Sequence, residues 1–518
     1  MRAPVADARG ALVPRRTVLK AGAAGTALVA TGTVPSIVRA APATAAARAP
    51  FASDDPNDHL LRRATFGATG ASRKELKRLG REEWLDRQLH PERVRDTAGD
   101  DIVGRFPDLG WSIPTALERL DGSWQLMFDL GVSTLARAAW SERQLLEVMV
   151  DFWSNHLNVT NPSDMVWFSR HDYDRVVIRK HALGKFSQML AASARHPSML
   201  LYLNNAESTF ESPNENYGRE LLELHSVGVN GGYDEDDMRN SALVMTGFGI
   251  DWDTGLYEYH PWAHHVGRVT VMKWSSRNAS PNGQKVGLDY VDFLAHHPST
   301  AEHIATKLVR RFVSDEAPRG LVDALAEVYL DNDTAIVPVL RTLFRSKTFG
   351  GSVGAKVRRP LEDLVATVRT LGTGPDRNGV DGLIGLYWMV QGLGHAPLAW
   401  TQPDGYPDVA DAWRSAGGMV SRWNSHMSLA GHWWPEELEA PNLKRLVPDP
   451  LPNTHGALVD ALARGLVFRK LPKSHRAAVL GFIGRTAGDP LSKDDEAVGW
   501  RLPYLVALIL DSPYHMVR

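Results

Sequence analysis

The stretch SPNENYGRELLELHSVGV, residues 212–229, gathers three glutamates, an arginine, two asparagines and a histidine into one short helical pattern. At 100° per residue, Asn216, Glu220 and Glu223 share a stripe, spaced by four and then three. Two carboxylates on one face, backed by an amide, suit two chemistries: holding a divalent metal ion, or working as an acid and base pair. The ordinary alternative is a solvated helix on which Arg219 pairs with Glu223 one turn away. His225 projects almost opposite Glu220, so this is not a helical Glu-x-x-His metal motif. The stripe is expected to wall a buried polar site, with Glu220, Glu223, Asn216 and Arg219 as the catalytic set. His225 would tie the helix to its neighbours.

Three other stretches carry candidates. In DFWSNHLNV (151–159), His156 falls with Leu145, Met149, Phe152 and Trp153 on an apolar face, while Asp151 and Asn155 lie on the other side. Such an imidazole is either a hydrogen-bonded core residue or, with a metal present, a suitable neutral ligand. In the loop around PWAHHVG, His264 and His265 cluster with His260 near Trp262, as surface residues or as ligands. His156, Glu220, Glu223 and His264 therefore make up the candidate metal set, with Trp153, Asn155, His225 and His265 as binding neighbours. The fourth stretch is TQPDGYPDVADAWRS. Its prolines and glycine fix an irregular loop, and Asp404, Tyr406, Asp408 and Trp413 either line a pocket for a polar, ring-shaped ligand or plug a gap between helices. Asp234 and Asp237 lack calcium-loop spacing and fit a helix cap better.

The elements that must position these residues are mostly helices. Ser141-Glu-Arg-Gln144, Ser212-Pro-Asn-Glu215, Asp234 with Asp237, and Ser299 with Glu302 read as helix starts. Apolar residues keep helical spacing around 318–346, 356–371, 381–394, 455–470, 474–487 and 494–511. Only residues 256–274 alternate, so LYEYH and RVTVMKW are expected to pair as a ribbon. The expected fold is mainly α, a multi-helix bundle-like single unit with a small β-ribbon insertion. Residues 56–250 would form a helical core, 251–298 the ribbon and loop insertion, and 299–518 the remaining helices of the same fold.

Composition narrows the function. The 518 residues are 43% hydrophobic and 23% charged with a net charge of −2, a globular profile without the basic field that nucleic acid would need. The absence of cysteine excludes disulfides, thiolate metal sites and cysteine nucleophiles. The N-terminus, PRRTVLKAGAAGTALVATGTVPSIVRA, has paired arginines ahead of a weak alanine and glycine run. This is the pattern of a twin-arginine export signal over residues 1–40, followed by a flexible tether at 41–55. The run is too short and too rich in glycine to span a membrane. Export to the cell envelope or the medium is expected, with no membrane span in the mature chain. There is no G-x-S-x-G elbow, P-loop, Rossmann glycine pattern or H-E-x-x-H, which removes the common hydrolase, nucleotide and metalloprotease classes.

Several stretches together resemble one family. They are HLLRRATFG (59–67), DFWSNHLNV, HALGKF (181–186), HPSMLLYLNN (196–205), PNENYGRELLELHSVGVNGGY (213–233) and QPDGYPD (402–408). They are similar to the bacterial exported family called domain of unknown function 1800, from about His59 to the C-terminus. The resemblance implies an exported protein of unassigned activity, often encoded beside a sulfatase-like exported protein. The family's usual His-Asp-x-Gly segment reads His264-His265-Val266-Gly267 here, which removes an aspartate from position 265. The expectation is an exported enzyme with a buried carboxylate and histidine site, metal-dependent or not, acting on an extracellular polymer or glycan. The alternative is a non-catalytic binding or assembly partner of the sulfatase-like neighbour, for which the sixteen tryptophans and the long proline-rich loops speak.

Overall fold

Helical periodicity does most of the building. In the helix Ile336–Arg345, the buried residues are Ile336, Val339, Leu340, Leu343 and Phe344, an apolar stripe recurring every three or four positions. The computed structural model describes residues 51–120 and 124–518, so the expected signal at 1–40 and most of the tether lie outside the described residues. The described residues form one compact unit dominated by helices, with three small two-stranded sheets among them. Among the described residues no helix is long and apolar enough to cross a membrane.

The helix Pro360–Leu371 runs through the interior, with buried residues on every side, including Glu362 and Asp363. It packs against the helices Gln125–Trp140 and Ala416–Gly431. The helix Leu502–Leu510, almost wholly apolar, lies against Ala416–Gly431 in turn. Burying a helix on all sides requires either an all-apolar sequence or paired charges, and Pro360–Leu371 uses paired charges.

The ends of the elements differ from the sequence expectation in instructive ways. Asp234 and Asp237 do form a capping box, ahead of Glu235–Val244. Ser141 does not cap the next helix; its hydroxyl donates to Asp96 (2.6 Å), and the helix starts at Gln144. The cap at 212–215 is Asn214, whose side chain accepts from the Tyr217 amide at 2.9 Å, so the helix is only Glu215–Glu223. The His297 ring, rather than Ser299, caps Pro298–Phe312.

The ribbon also differs. Tyr257–Tyr259 pairs backwards with Phe248–Ile250, while Val269–Val271 makes its own hairpin with Trp274–Ser276. Local turns decide this. Asp251 accepts from the amides of Asp253 and Thr254, Gly255 adopts a positive φ of 68°, and Met272 turns the second hairpin at φ 53°.

Candidate functional site

The glutamate helix does not wall a cavity with its polar stripe. Tyr217, Gly218, Leu221 and Leu222 are its buried face, packed on Glu235–Val244. A Cβ at Gly218 would stand 2.7 Å from both the Ala242 nitrogen and the Met238 carbonyl oxygen, so only glycine permits this crossing. The close approach rotates the stripe outwards: Asn216 and Arg219 are exposed, and Glu220 and Glu223 are half-buried. The Glu220 carboxyl is pushed up by burial first, then by the charges of Glu223 and Asp404, against Arg219. It therefore stands near the 402–408 loop without lining the pocket below.

That pocket, about 390 Å³, meets the same segment at its C-terminal end, through Leu224. The helices Gln144–His156 and Pro298–Phe312, Leu224 and the loop 404–409 enclose it. From the first helix, Asp151, Phe152 and Asn155 face the pocket, and from the second, His303, Lys307, Arg310 and Arg311. Behind Phe152 lies Trp153, fully buried, its indole N–H donating to Ala182 O (2.9 Å) and its ring stacked on Phe186.

His156 is buried at the inner end of the pocket helix. Its Nε2 donates to the His225 carbonyl (3.2 Å), which leaves Nδ1 to accept from the Lys307 ammonium (3.0 Å). His303 makes the parallel contact through Nδ1 to the Ser226 carbonyl (2.8 Å). The turn after the glutamate helix thus fixes two imidazole rings through successive carbonyls. Burial, then the Lys307 charge, drives His156 well below its usual range; burial likewise takes His225 down to about 3 and His303 to about 4. All three rings are neutral at neutral pH. Lys307 is lowered from 10.5 to about 8, chiefly by burial and further by Arg310, with Asp404 and Asp408 opposing.

The loop is held rigidly. Asn155 Oδ1 accepts from the Tyr406 amide (2.9 Å), and Asn158 Nδ2 donates to the carbonyls of Trp400 (3.0 Å) and Gln402 (2.6 Å). Tyr406 OH donates to Ala396 O (3.0 Å), and Trp400 Nε1 donates to Asp404 Oδ1 (2.7 Å). Gly405 has φ +74°, and a Cβ there would meet Asn155 O at 2.1 Å. Gly405→Ala is expected to cost about 1–3 kcal/mol in backbone strain alone. It should lower the melting temperature and speed proteolytic cleavage within 400–410, measured side by side with wild type. Trp413 stacks on His395 (4.7 Å), donates to Pro407 O (2.9 Å) and lines a neighbouring cavity rather than this pocket.

Beneath the pocket lies a buried ionic network. Glu362 meets Arg311, Arg359 (3.1 Å) and Arg518 (3.2 Å), while Asp151 meets Arg311 (3.3 Å) and Arg359 (2.5 Å). Asp408 bonds Lys356 at 3.0 Å and lies 3.5 Å from Arg311. Arg311 Nε and Arg359 Nε are buried without a hydrogen-bond acceptor among the described residues, and both residues line the pocket. Arg310, at the rim, is exposed and makes no ion pair among the described residues. The pocket therefore offers the exposed Arg310 and N–H groups of Arg311 and Arg359 that no described acceptor meets.

The candidate metal set does not assemble. His264 Nδ1 lies 2.9 Å from the Thr246 carbonyl oxygen and Nε2 2.8 Å from Asn278 Oδ1, so both nitrogens hold the ribbon loop in place. His265, half-buried beside it, donates its amide to Thr246 Oγ1 (2.8 Å). Among the described residues, the ligand atoms of His156, Glu220, Glu223 and His264 form no group within 4.8 Å of one another. Sequence reasoning missed Lys307, Arg310, Arg311 and Arg359. The signal was present: in HIATKLVRRFV, His303, Lys307 and Arg311 recur every four residues on one helix face.

The pocket draws its walls from DFWSNHLNV, from the LELHSVGV turn and from QPDGYPD, the stretches that carried the family resemblance. The sequence model of the family described as "Protein of unknown function (DUF1800)" matches residues 59–517. The chain belongs to the DUF1800 family. No curated protein matches it, and no solved structure does. In this DUF1800 protein the family match spans every residue of the pocket and of the ionic network except Arg518.

Proposed function

We propose that this DUF1800 protein is an exported acid/base enzyme acting on an anionic segment of an extracellular polymer or glycan. The observation that carries the reading is Lys307, a pocket lysine whose ammonium hydrogen-bonds a neutral, buried histidine. An amine titrating near 8 exchanges protons readily at physiological pH, and His156 fixes its position. Arg310 and the unsatisfied guanidinium N–H groups of Arg311 and Arg359 supply charge for a carboxylate or sulfate. Proton removal beside such a group is the chemistry these side chains serve together. The paired arginines at Arg15 and Arg16 support export by the twin-arginine route.

Calorimetry with the mature chain and oligosaccharides differing only in charge tests the binding half. Uronate or sulfated fragments should bind, neutral ones should not, and Arg310→Met should weaken binding about tenfold or more, in keeping with the loss of a charge-assisted contact. Equal binding of neutral fragments, or no effect of Arg310→Met, would count against the pocket.

A second reading rests on a different face. Trp433, Phe482 and Trp500 surround Tyr504 at ring distances of 6.0–6.1 Å and are 51–60% exposed. Such a patch suits a non-catalytic role in which the chain docks on the sulfatase-like exported neighbour.

A further inference from the structure

Outside the pocket, one cluster brings together side chains that ligate metals. Asp363 comes from the interior helix Pro360–Leu371, His426 from Ala416–Gly431, and His515 from the C-terminal turn Pro513–Met516. All three are buried, and one ligand atom from each lies within 4.8 Å of the others. We infer that Asp363, His426 and His515 bind one divalent transition cation of the zinc class, with Asp511 orienting His426 from behind.

Geometry supports this first. Ligands about 2.0–2.2 Å from a tetrahedral ion stand roughly 3.3 Å apart. Here His426 Nε2 is 3.1 Å from Asp363 Oδ2, and His515 Nε2 is 3.8 Å from Asp363 Oδ1. Second, His426 Nδ1 is 2.8 Å from Asp511 Oδ1. A histidine that donates one ring N–H to a carboxylate presents its other nitrogen as a more basic ligand, the usual support for a metal-bound imidazole. Third, Asp363 Oδ1 is buried with no hydrogen-bond donor, an arrangement that costs free energy unless a cation meets it. The donor set of two imidazoles and a carboxylate suits zinc or cobalt better than calcium or magnesium.

Charge counts for and against. Asp363 and Asp511 bring two negative charges, which a divalent ion neutralises with both histidines uncharged. Arg422 and Arg358 lie nearby and oppose a cation, although Arg422 is committed to the Arg358 carbonyl (3.0 Å). Thr367 Oγ1 is 3.0 Å from His515 Nε2 and would share that nitrogen or yield it. The rival arrangement is a proton in place of the ion, with His426 as an imidazolium between two aspartates. A cavity of about 230 Å³ is lined by Arg422, one helical turn from His426, and by Met516, next to His515 in the chain. The ion would clamp the chain's last turn to the interior helix.

The test uses the mature chain, made without a histidine tag, dialysed against chelator and then titrated with zinc or cobalt(II). One equivalent should bind, cobalt should develop the visible absorption of a tetrahedral site, and the melting temperature should rise by several degrees. Asp511→Asn should weaken binding about 10–100-fold, and Asp363→Asn should abolish the cobalt spectrum. The wild-type titration decides even where a variant fails to fold. Failure to take up either ion, or a cobalt spectrum unchanged in Asp363→Asn, overturns the site and leaves the imidazolium bridge in its place.

Discussion

Glu362→Ala is expected to lower the free energy of unfolding by about 3–5 kcal/mol, the cost of breaking a buried ion pair from one side. Glu362 sits in the first turn of the interior helix, 1% exposed, with its carboxylate shared by Arg311, Arg359 and Arg518. Its other oxygen accepts from the Arg359 backbone amide at 2.9 Å, closing the helix N-terminus. The three guanidinium charges, Arg518 foremost, outweigh burial and hold the carboxyl well below its usual range. Its contribution to stability is therefore complete above the unfolded-state value of 4.5 and is lost as pH falls through the lower folded value. Alanine leaves three buried cations facing only Asp151 and Asp408. Urea midpoints at pH 7 measure the loss. A midpoint equal to wild type would mean that the network is solvated.

The second large effect concerns catalysis. Lys307→Met keeps the stem that packs in the pocket and removes the amine, so bound anionic substrate should remain while turnover falls about 10²–10⁴-fold, the range for a lost acid/base group. Neighbouring charges give the amine a signature that a structural lysine would lack. Arg310 lowers it and Asp404 raises it, so with the free amine as the base Arg310→Met should move the acidic limb of the pH–rate profile up and Asp404→Asn should move it down. Parallel shifts in both variants, or none, would remove Lys307 from the reaction.

The sequence made the fold class legible because periodicity is local: the stripe of Ile336–Arg345 and the box at Asp234 and Asp237 depend on nothing distant. The orientation of the glutamate helix was not legible. Its two faces are both partly polar, and the choice between them was made by Gly218 meeting Ala242, a contact that spacing alone does not reveal. The helix Ala416–Gly431 was passed over for a related reason. Gly417 and Gly418 in its first turn each cost about 1 kcal/mol of helix propensity, and tertiary packing on Leu502–Leu510 overrides them. With that helix missed, His426 could not be placed beside Asp363 and His515. Of the residues lining the pocket, Asn155, Asp404, Tyr406 and Asp408 were singled out from their loop and motif, whereas Lys307 and the arginines were not. Nothing in the sequence shows that the opposite wall of their pocket comes from a stretch about 150 residues away.

The central claim is that Lys307 is a proton-exchanging group. Its modification by an amine-reactive reagent, followed by peptide mass spectrometry across pH 6–11, measures this without any knowledge of the substrate. Half-maximal reactivity is expected at about pH 8, with the amine protected by whichever anionic fragment binds the pocket. A midpoint above pH 10, where surface lysines titrate, or labelling indifferent to bound fragments, would contradict it.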